Sequence, residues 1–597
     1  MKELKTINKY FYRYRWRFLL GIIFVSFSNY FRVLQPQMIR QALDLVVENI
    51  EMYKLYDGFA SQQSLFLILG KTLMSFGVIV LILALLMGVF MYFMRQTIIV
   101  MSRLIEYDMR KDLFAHYEKL DLAFYKKSNT GDLMARITED VSKVRMYLGP
   151  ATLYGINLVS LFIMVIFSMI SVSPELTLYC LLPLPFLSIS IYYVSNLINK
   201  RSTEIQRQLS TLNSTAQEAY SGIRVLKSYV QESAMVRFFA GQSDTYKDKS
   251  MDLARINAFF YPLMILLIGA STALTVYVGG LQVVAGNITP GNIAEFVIYV
   301  NMLTWPVTAI GWIASIIQQA SASQKRINEF LLNEPDITDP KEDPIEIKGS
   351  IQFDQVSFTY PDTGIKALDN VSFSLASGEK MVLIGRTGSG KTTIADLLVR
   401  MYDKTEGQIL IDGQPIESLD LANLRKRVGY VPQDVFLFSN TISANVAFGR
   451  EDATQEEVEE YTRYAAIYED IKGLPEGFDT LVGERGVTLS GGQKQRISIA
   501  RALIKKPDIV ILDDCLSAVD TSTEQQILGY LNKKLAHKTS IIITHRIYSS
   551  LNFDKILVLD NGRITEAGTH EELMANKGFY YEMFEKQLLE EEAEKSS

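Results

Sequence analysis

The clearest chemical signature in the chain is Gly385-Arg386-Thr387-Gly388-Ser389-Gly390-Lys391-Thr392. An apolar run, Met381–Ile384, precedes it, and a helix-like stretch, Ile394–Val399, follows. Strand, glycine-rich turn and helix in that order is the context a phosphate-binding loop needs. The glycines let backbone N–H groups crowd phosphate oxygens, Lys391 reaches the outer phosphates, and the Thr392 hydroxyl is placed to ligate Mg²⁺. Thr393 completes the loop's run of cofactor-binding positions, and the helix N-terminus adds the positive end of its dipole.

Further residues point to the same chemistry. Ile509–Leu512 reads as a buried strand ending in Asp513 and Asp514. Asp513 is placed to hold Mg²⁺, directly or through water, and Asp514 stands where a base or a water-positioning group belongs. His545 ends the apolar run Ile541–Thr544, where it contacts a γ-phosphate or the attacking water. Gln433 follows Val431-Pro432 and is placed to sense Mg²⁺ or that water. Tyr360 lies upstream, where an aromatic ring can stack on a base. A second anion-binding nest is Ser490-Gly491-Gly492-Gln493, after Leu489 and before a helix. One nucleotide does not need two phosphate cradles so far apart in the chain, so the second is expected to serve a nucleotide held by another copy of the domain.

The elements that must position these groups alternate between strand and helix. Strand patterns fall at Ile351–Phe358, Gly407–Ile411, Ile509–Leu512 and Ser540–Thr544, which predicts an α/β domain over 349–585 with a largely parallel central sheet. Leu331–Lys348, with Pro335, Pro340 and Pro344, reads as a linker, and 586–597 as a charged tail. At 597 residues the chain is too long for one core.

Residues 1–330 read as a membrane domain. Six runs are apolar enough to span a bilayer, approximately 18–36, 72–94, 150–173, 176–197, 258–282 and 292–315. Arg32 interrupts the first and reads as the one ionisable residue near a span interior, either on a substrate path or snorkelling to the interface. The connections Arg95–Arg145 and Lys200–Arg255 are basic, whereas the loop after the first span carries Asp44, Glu48, Glu51 and Asp57 against Lys54 alone. Basic loops stay in the cytoplasm, so both termini, both long connections and the α/β domain are expected there. The turn-like breaks Ser128–Asp132 and Tyr220–Gly222 mark either short transverse helices touching a cytoplasmic domain or ordinary solvated loops.

A net charge of -6 gives no reason to expect a nucleic-acid partner. With only Cys180 and Cys515, in unrelated contexts, no structural disulfide is expected. The basic N-terminus, Lys2 to Arg17, leads into the first span without a cleavage-site pattern, so no signal peptide is expected.

Together these motifs resemble the ATP-binding cassette exporters, in the half-transporter layout of one membrane domain fused to one ATPase domain. The resemblance covers nearly the whole chain and rests on the phosphate loop, Leu489–Gln493, the Asp513 strand and Thr544-His545-Arg546. It implies ATP and Mg²⁺ as cofactors, a lipid bilayer as the setting and a drug- or lipid-like amphipath as substrate. It also implies two ATP sites, each formed by one chain's phosphate loop and the other's signature. Ser128–Asp132 and Tyr220–Gly222 look like the family's coupling segments, and Val482–Gly486 like the loop that touches them. One departure is Asp514, where the family usually has glutamate. With an intact signature, that change resembles the weak-site subunit of a heterodimeric exporter. A homodimer with Asp514 as working base and an ATP-gated channel are the alternatives.

Overall fold

The computed structural model describes residues 3–59, 61–339, 346–483, 489–534, 537–547 and 553–596. The chain divides into two compact units, Met1–Glu118 with Gly131–Asn333, and Lys119–Thr130 with Glu334–Ser597.

The first unit is built from helices. Among the described residues, five are long and apolar enough to cross a membrane: Arg15–Leu55, Ser61–Tyr117, Thr130–Val172, Glu232–Val284 and Pro290–Leu331. Ser61–Tyr117 has 57 residues and Glu232–Val284 has 53. At 1.5 Å per residue these lengths are about 85 and 80 Å, well beyond a hydrocarbon core of about 30 Å. The spans therefore run on as helices through the basic connections.

The expected fourth span, 176–197, differs. It is divided at Leu182 into Pro174–Leu181 and Pro183–Ser221, and among the described residues neither helix meets the same criterion. Pro183 and Pro185 have no N–H to donate, so the helix that starts at Pro174 loses its hydrogen bonds there. Arg32 is also not the sole ionisable residue at depth. Glu295 is fully buried in Pro290–Leu331, 3.1 Å from Arg40 Nη1, and its Oε1 accepts from the Tyr299 hydroxyl at 2.9 Å. A buried carboxylate needs this kind of pairing.

The second unit holds two sheets. The strands are β1 (Ile351–Thr359), β2 (Lys366–Leu375), β3 (Lys380–Gly385), β4 (Glu406–Ile411), β5 (Gln414–Pro415), β6 (Val428–Val431), β7 (Ile509–Asp513), β8 (Thr539–Thr544), β9 (Lys555–Asp560) and β10 (Arg563–Gly568). β2-β1-β4-β5 form an antiparallel sheet, and β10-β9-β3-β8-β7-β6 form a second that is parallel except at β9–β10. Thus Gly407–Ile411 belongs to the antiparallel layer rather than to the central sheet. The central strands are buried on both faces. Val382 and Ile384 of β3 enter one apolar core, while Met381 and Leu383 enter the other, as the two-residue side-chain period requires.

The two turn-like breaks behave differently. Asp121 Oδ1 accepts from Phe124 N at 3.1 Å and caps the short helix Leu122–Lys127, whose Ala123 is buried in the second unit's core. The short helix Ile223–Ser228, after Gly222, buries no residue. Within the linker, 340–345 lie outside the described residues, as do Glu484, Arg485 and Gly486 of the Val482–Gly486 loop. The helix Phe579–Ser596 runs through most of the predicted tail.

Candidate nucleotide site

Sheet order brings the scattered motifs together. β3, β8, β7 and β6 are adjacent and parallel, so their carboxyl ends share one edge. The phosphate loop leaves β3, His545 follows β8, Asp513 ends β7 and Gln433 lies two residues past β6. In open α/β sheets ligands bind along this edge.

The loop is shaped by close backbone approaches. A Cβ on Gly390, at φ +103°, would stand 2.4 Å from Ala367 O, and one on Gly385 would stand 2.1 Å from Leu559 O. Neither position admits a side chain without displacing a neighbouring strand. Lys391 begins the helix Lys391–Leu398 and is buried. Its Nζ donates to Gly385 O and Arg386 O, both at 2.8 Å. Burial holds its pKa below the ordinary lysine value, against the pull of Asp513 and Asp514. Arg386, Thr387 and Gly388 are exposed at the loop's crest, with the Arg386 guanidinium 5.5 Å from the Phe579 ring centroid.

Asp513 is 1% exposed. Burial pushes its pKa up to about 6, partly offset by a hydrogen bond from Thr392 and by the charge of Lys391. Its Oδ2 and the Ser389 hydroxyl are both buried without a hydrogen-bond partner. Orphaned polar atoms beside the loop are what a site for an absent polar group leaves. One carboxylate and one hydroxyl also suit Mg²⁺, which takes few protein ligands and completes its shell with water and phosphate oxygens. Among the described residues no cluster of three or more His, Cys, Asp or Glu suggests a different metal.

Asp514 sits at φ +45°, a left-handed conformation that aspartate tolerates better than most residues. Its N–H donates to Ile543 O at 2.8 Å, and Gln433 Nε2 lies 3.5 Å from Oδ2. Burial raises its pKa, and the facing His545 and Lys391 lower it. Exposed His545 therefore joins the cluster electrostatically.

Other predicted residues are placed less directly. Tyr360 packs edge-on to Phe358 and Tyr402, with ring centroids 4.9 and 5.4 Å away, and Lys126 Nζ lies 5.0 Å from its ring centroid. Its hydroxyl is 2.9 Å from Thr393 Oγ1, so buried Thr393 is turned to the tyrosine and not to the loop's crest. Ser490 caps the helix Gly491–Ile504 through a reciprocal pair with Gln493, at 3.3 and 3.0 Å. A Cβ on Gly492 would lie 2.7 Å from Ala518 O.

The sequence reading passed over Gln495. Its Nε2 is 3.5 Å from Asp514 O and 3.3 Å from Ser517 Oγ, and its Oε1 accepts from Ala518 N at 3.2 Å. It ties the signature helix to the backbone beside the carboxylates. No residue pattern announces this role, because a glutamine in a helix is ordinary. Cys180 and Cys515 are both free and buried.

A glycine-rich loop leaving β3 and a buried aspartate ending β7 share one edge of the sheet, the arrangement of a P-loop ATPase unit. Residues 18–307 match the family described as ABC transporter transmembrane region, and residues 368–517 match the family described as ABC transporter. The chain is 38% identical to a probable multidrug resistance ABC transporter ATP-binding/permease protein of Bacillus subtilis, YheI, over 98% of both chains. It is 37% identical to the multidrug resistance-like ATP-binding protein MdlA of Escherichia coli, covering 87% of this chain and 88% of that one. It is also similar to the structure of a bacterial Atm1-family ABC exporter with ATP bound, at TM-score 0.76 and 27% identity over 96% and 99% of the two chains. The chain belongs to the ABC transporter family. It is a membrane-spanning protein with an exporter-type fold, whose ATPase unit binds ATP and couples its hydrolysis to transport.

Proposed function

We propose that the chain is one half of an exporter in the cytoplasmic membrane, moving a drug- or lipid-like amphipath outward, with both termini and the ATPase unit in the cytoplasm. A second half-transporter completes it. The observation that carries this reading is the signature nest. Ser490 and Gly491 form an exposed helix N-terminus far in the chain from the phosphate loop, suited to a nucleotide held by another chain. The uncovered second short helix and its flanks agree, with Tyr220 77%, Val225 61% and Tyr229 73% exposed.

In the composite site over this chain's phosphate loop, Lys391 and the loop N–H groups grip the β- and γ-phosphates, and Tyr360 stacks on the base. Thr392 and Asp513, with Gln433 near, would hold Mg²⁺, which supplies charge neutralisation at the phosphates when bound. Hydrolysis forms a bond from water oxygen to the γ-phosphorus and breaks the bond to the bridging oxygen of ADP. The water's proton must go to a base. His545 orients the γ-phosphate or the water, and Asp514 stands where the base belongs. Its side chain is one methylene shorter than glutamate, and about 1 Å of misplacement can cost on the order of 10²-fold in rate. The site over this chain's phosphate loop is therefore slow, and the faster one lies over Ser490 at the partner's loop.

A homodimer with Asp514 as the working base is the second reading, favoured by the raised pKa that burial gives this carboxylate. Asp514→Asn separates the two. In the weak-site heterodimer, ATPase activity of the assembled transporter stays within about twofold, whereas a working base would leave about 1% or less. ATP-driven uptake into sealed inside-out vesicles separates an exporter from an ATP-gated channel.

A further inference from the structure

The helix Ser61–Tyr117 carries three arginines past its apolar run, and their surroundings differ. Arg103 and Arg110 both pair with Glu106, at 3.0 and 2.8 Å, and Arg145 from the helix Thr130–Val172 approaches the same carboxylate at 3.4 Å. Arg95 is exposed and has no carboxylate, carbonyl or ring partner among the described residues. It lines a cavity of about 380 Å³ with Gln96, Ile99, Pro150, Leu153 and Tyr154. Two π-helical turns, Arg95–Ile99 and Tyr147–Ala151, frame this cavity. Such turns recur at functional sites.

The frame is rigid. A Cβ on Gly21 would stand 2.4 Å from Ile98 Cγ1, and one on Gly149 would stand 2.5 Å from Ser102 Oγ, so both π turns are pressed against neighbouring helices. The Tyr154 ring lies 5.4 Å from Trp305 and 5.6 Å from Trp312, and these indoles are 50% and 44% exposed. A second cation lies on Arg15–Leu55. Arg32 is half-buried on the face that also carries buried Gly21, Val25, Asn29 and Pro36, and it too has no carboxylate partner among the described residues. Asn29 of that face donates to Asn157 O at 3.2 Å, on the Tyr154 helix. An unpaired cation inside a span is costly to keep and marks a ligand path; Arg32 is such a cation, while Arg95 lies one residue past the second apolar run.

We propose that the transported molecule is an anionic amphipath, whose charged head is received by Arg95 beside the Tyr154–Trp305–Trp312 aromatic cluster, with Arg32 the next cation along its route. This rests on the exporter reading above, and on its orientation Arg95 stands at the cytoplasmic end of the second span. A guanidinium offers a phosphate or carboxylate paired hydrogen bonds, and the rings cover the adjoining apolar tail.

The test uses the full chain in phosphatidylcholine nanodiscs with Trp16→Phe, so that Trp305 and Trp312 carry the emission. Dodecyl phosphate is expected to change that emission saturably, and dodecyltrimethylammonium to bind at least about tenfold more weakly. Arg95→Gln should weaken dodecyl phosphate by about tenfold and Arg95→Lys by less than about threefold. Equal binding of the two head groups to the unaltered cavity, or an unchanged affinity in Arg95→Gln, overturns the proposal. In sealed inside-out vesicles from cells making the full chain together with the half-transporter that completes it, ATP should drive uptake of a fluorescent alkyl phosphate, reduced by Arg32→Gln. Uptake of a cationic dye without the alkyl phosphate overturns this inference while the exporter reading stands. Binding of dodecyl phosphate with no uptake of any amphipath overturns both, leaving Arg95 as a lipid head-group contact.

Discussion

The chain carries two anion-receiving helix starts, and they are built to different ends. At the phosphate loop, Lys391 is buried and held by two loop carbonyls, and Asp513 keeps an unpartnered oxygen beside it. Most of the groups that grip a triphosphate are present in this one chain. At the signature, Ser490 and Gln493 cap their own helix at an exposed surface. On the proposed reading, the first start supplies most of a grip on nucleotide, and the second is half of one. The contrast teaches that binding nucleotide and cleaving it can be assigned to different surfaces of one ATPase unit.

The largest expected effect tests the grip. Lys391→Ala removes the cation facing the outer phosphates and should lower labelling of this chain by a photoreactive ATP analogue by about 10²-fold or more, since two charge-assisted contacts are lost. Ser490→Arg should do the reverse. Labelling of this chain's loop persists, while ATPase activity of the assembled transporter falls by about 10²-fold through exclusion of the partner's nucleotide. If Ser490→Arg leaves turnover intact, the two starts are not halves of shared sites.

A smaller effect separates the two signature glycines. Gly492→Ala forces a Cβ to within 2.7 Å of Ala518 O, whereas a Cβ on Gly491 meets only the Ala518 methyl at 3.6 Å. ATPase activity should fall about tenfold in the first variant and change less than about twofold in the second. Comparable losses in both would mean that the nest is limited by contact with nucleotide rather than by its own packing.

The smallest effect lies behind the phosphate loop. Asp396 is buried in the helix Lys391–Leu398, and burial raises its pKa to about 6, with the Asp513 charge adding to the shift and Lys126 opposing it. The folded state therefore holds a proton between about pH 4 and 6 that the unfolded chain has released, so this group's contribution to stability declines as pH rises through that window. Asp396→Asn should flatten the dependence of the thermal unfolding midpoint over that range and raise the midpoint slightly at pH 7. A variant that keeps the slope assigns it to other carboxylates.

Much of the site was legible in the sequence because the motifs there are local. Glycines at fixed offsets, a lysine and a hydroxyl form a cradle wherever a strand precedes them and a helix follows. Gln495 was not legible, since its role is set by Asp514, Ser517 and Ala518 arriving from another strand's end. The orientation of Thr393 toward Tyr360 has the same cause. In the membrane unit, apolar runs announced the spans, but the break at Leu182 came from prolines inside an otherwise suitable run. The pairing of Glu295 with Arg40 needed two helices far apart in the chain to pack side by side.

By itself the sequence determined the two-part architecture and the ATP-binding chemistry, because these depend on composition and on short-range spacing. Only the tertiary structure decided which strand ends are neighbours. The order β3-β8-β7-β6 sets Lys391, His545, Asp513, Asp514 and Gln433 on one edge, although they come from four separate stretches. It also decided which arginines are paired. Arg103, Arg110 and Arg145 meet at Glu106 while Arg95 has no counter-ion among the described residues, and a charge's partner depends on its distance in space and not along the chain.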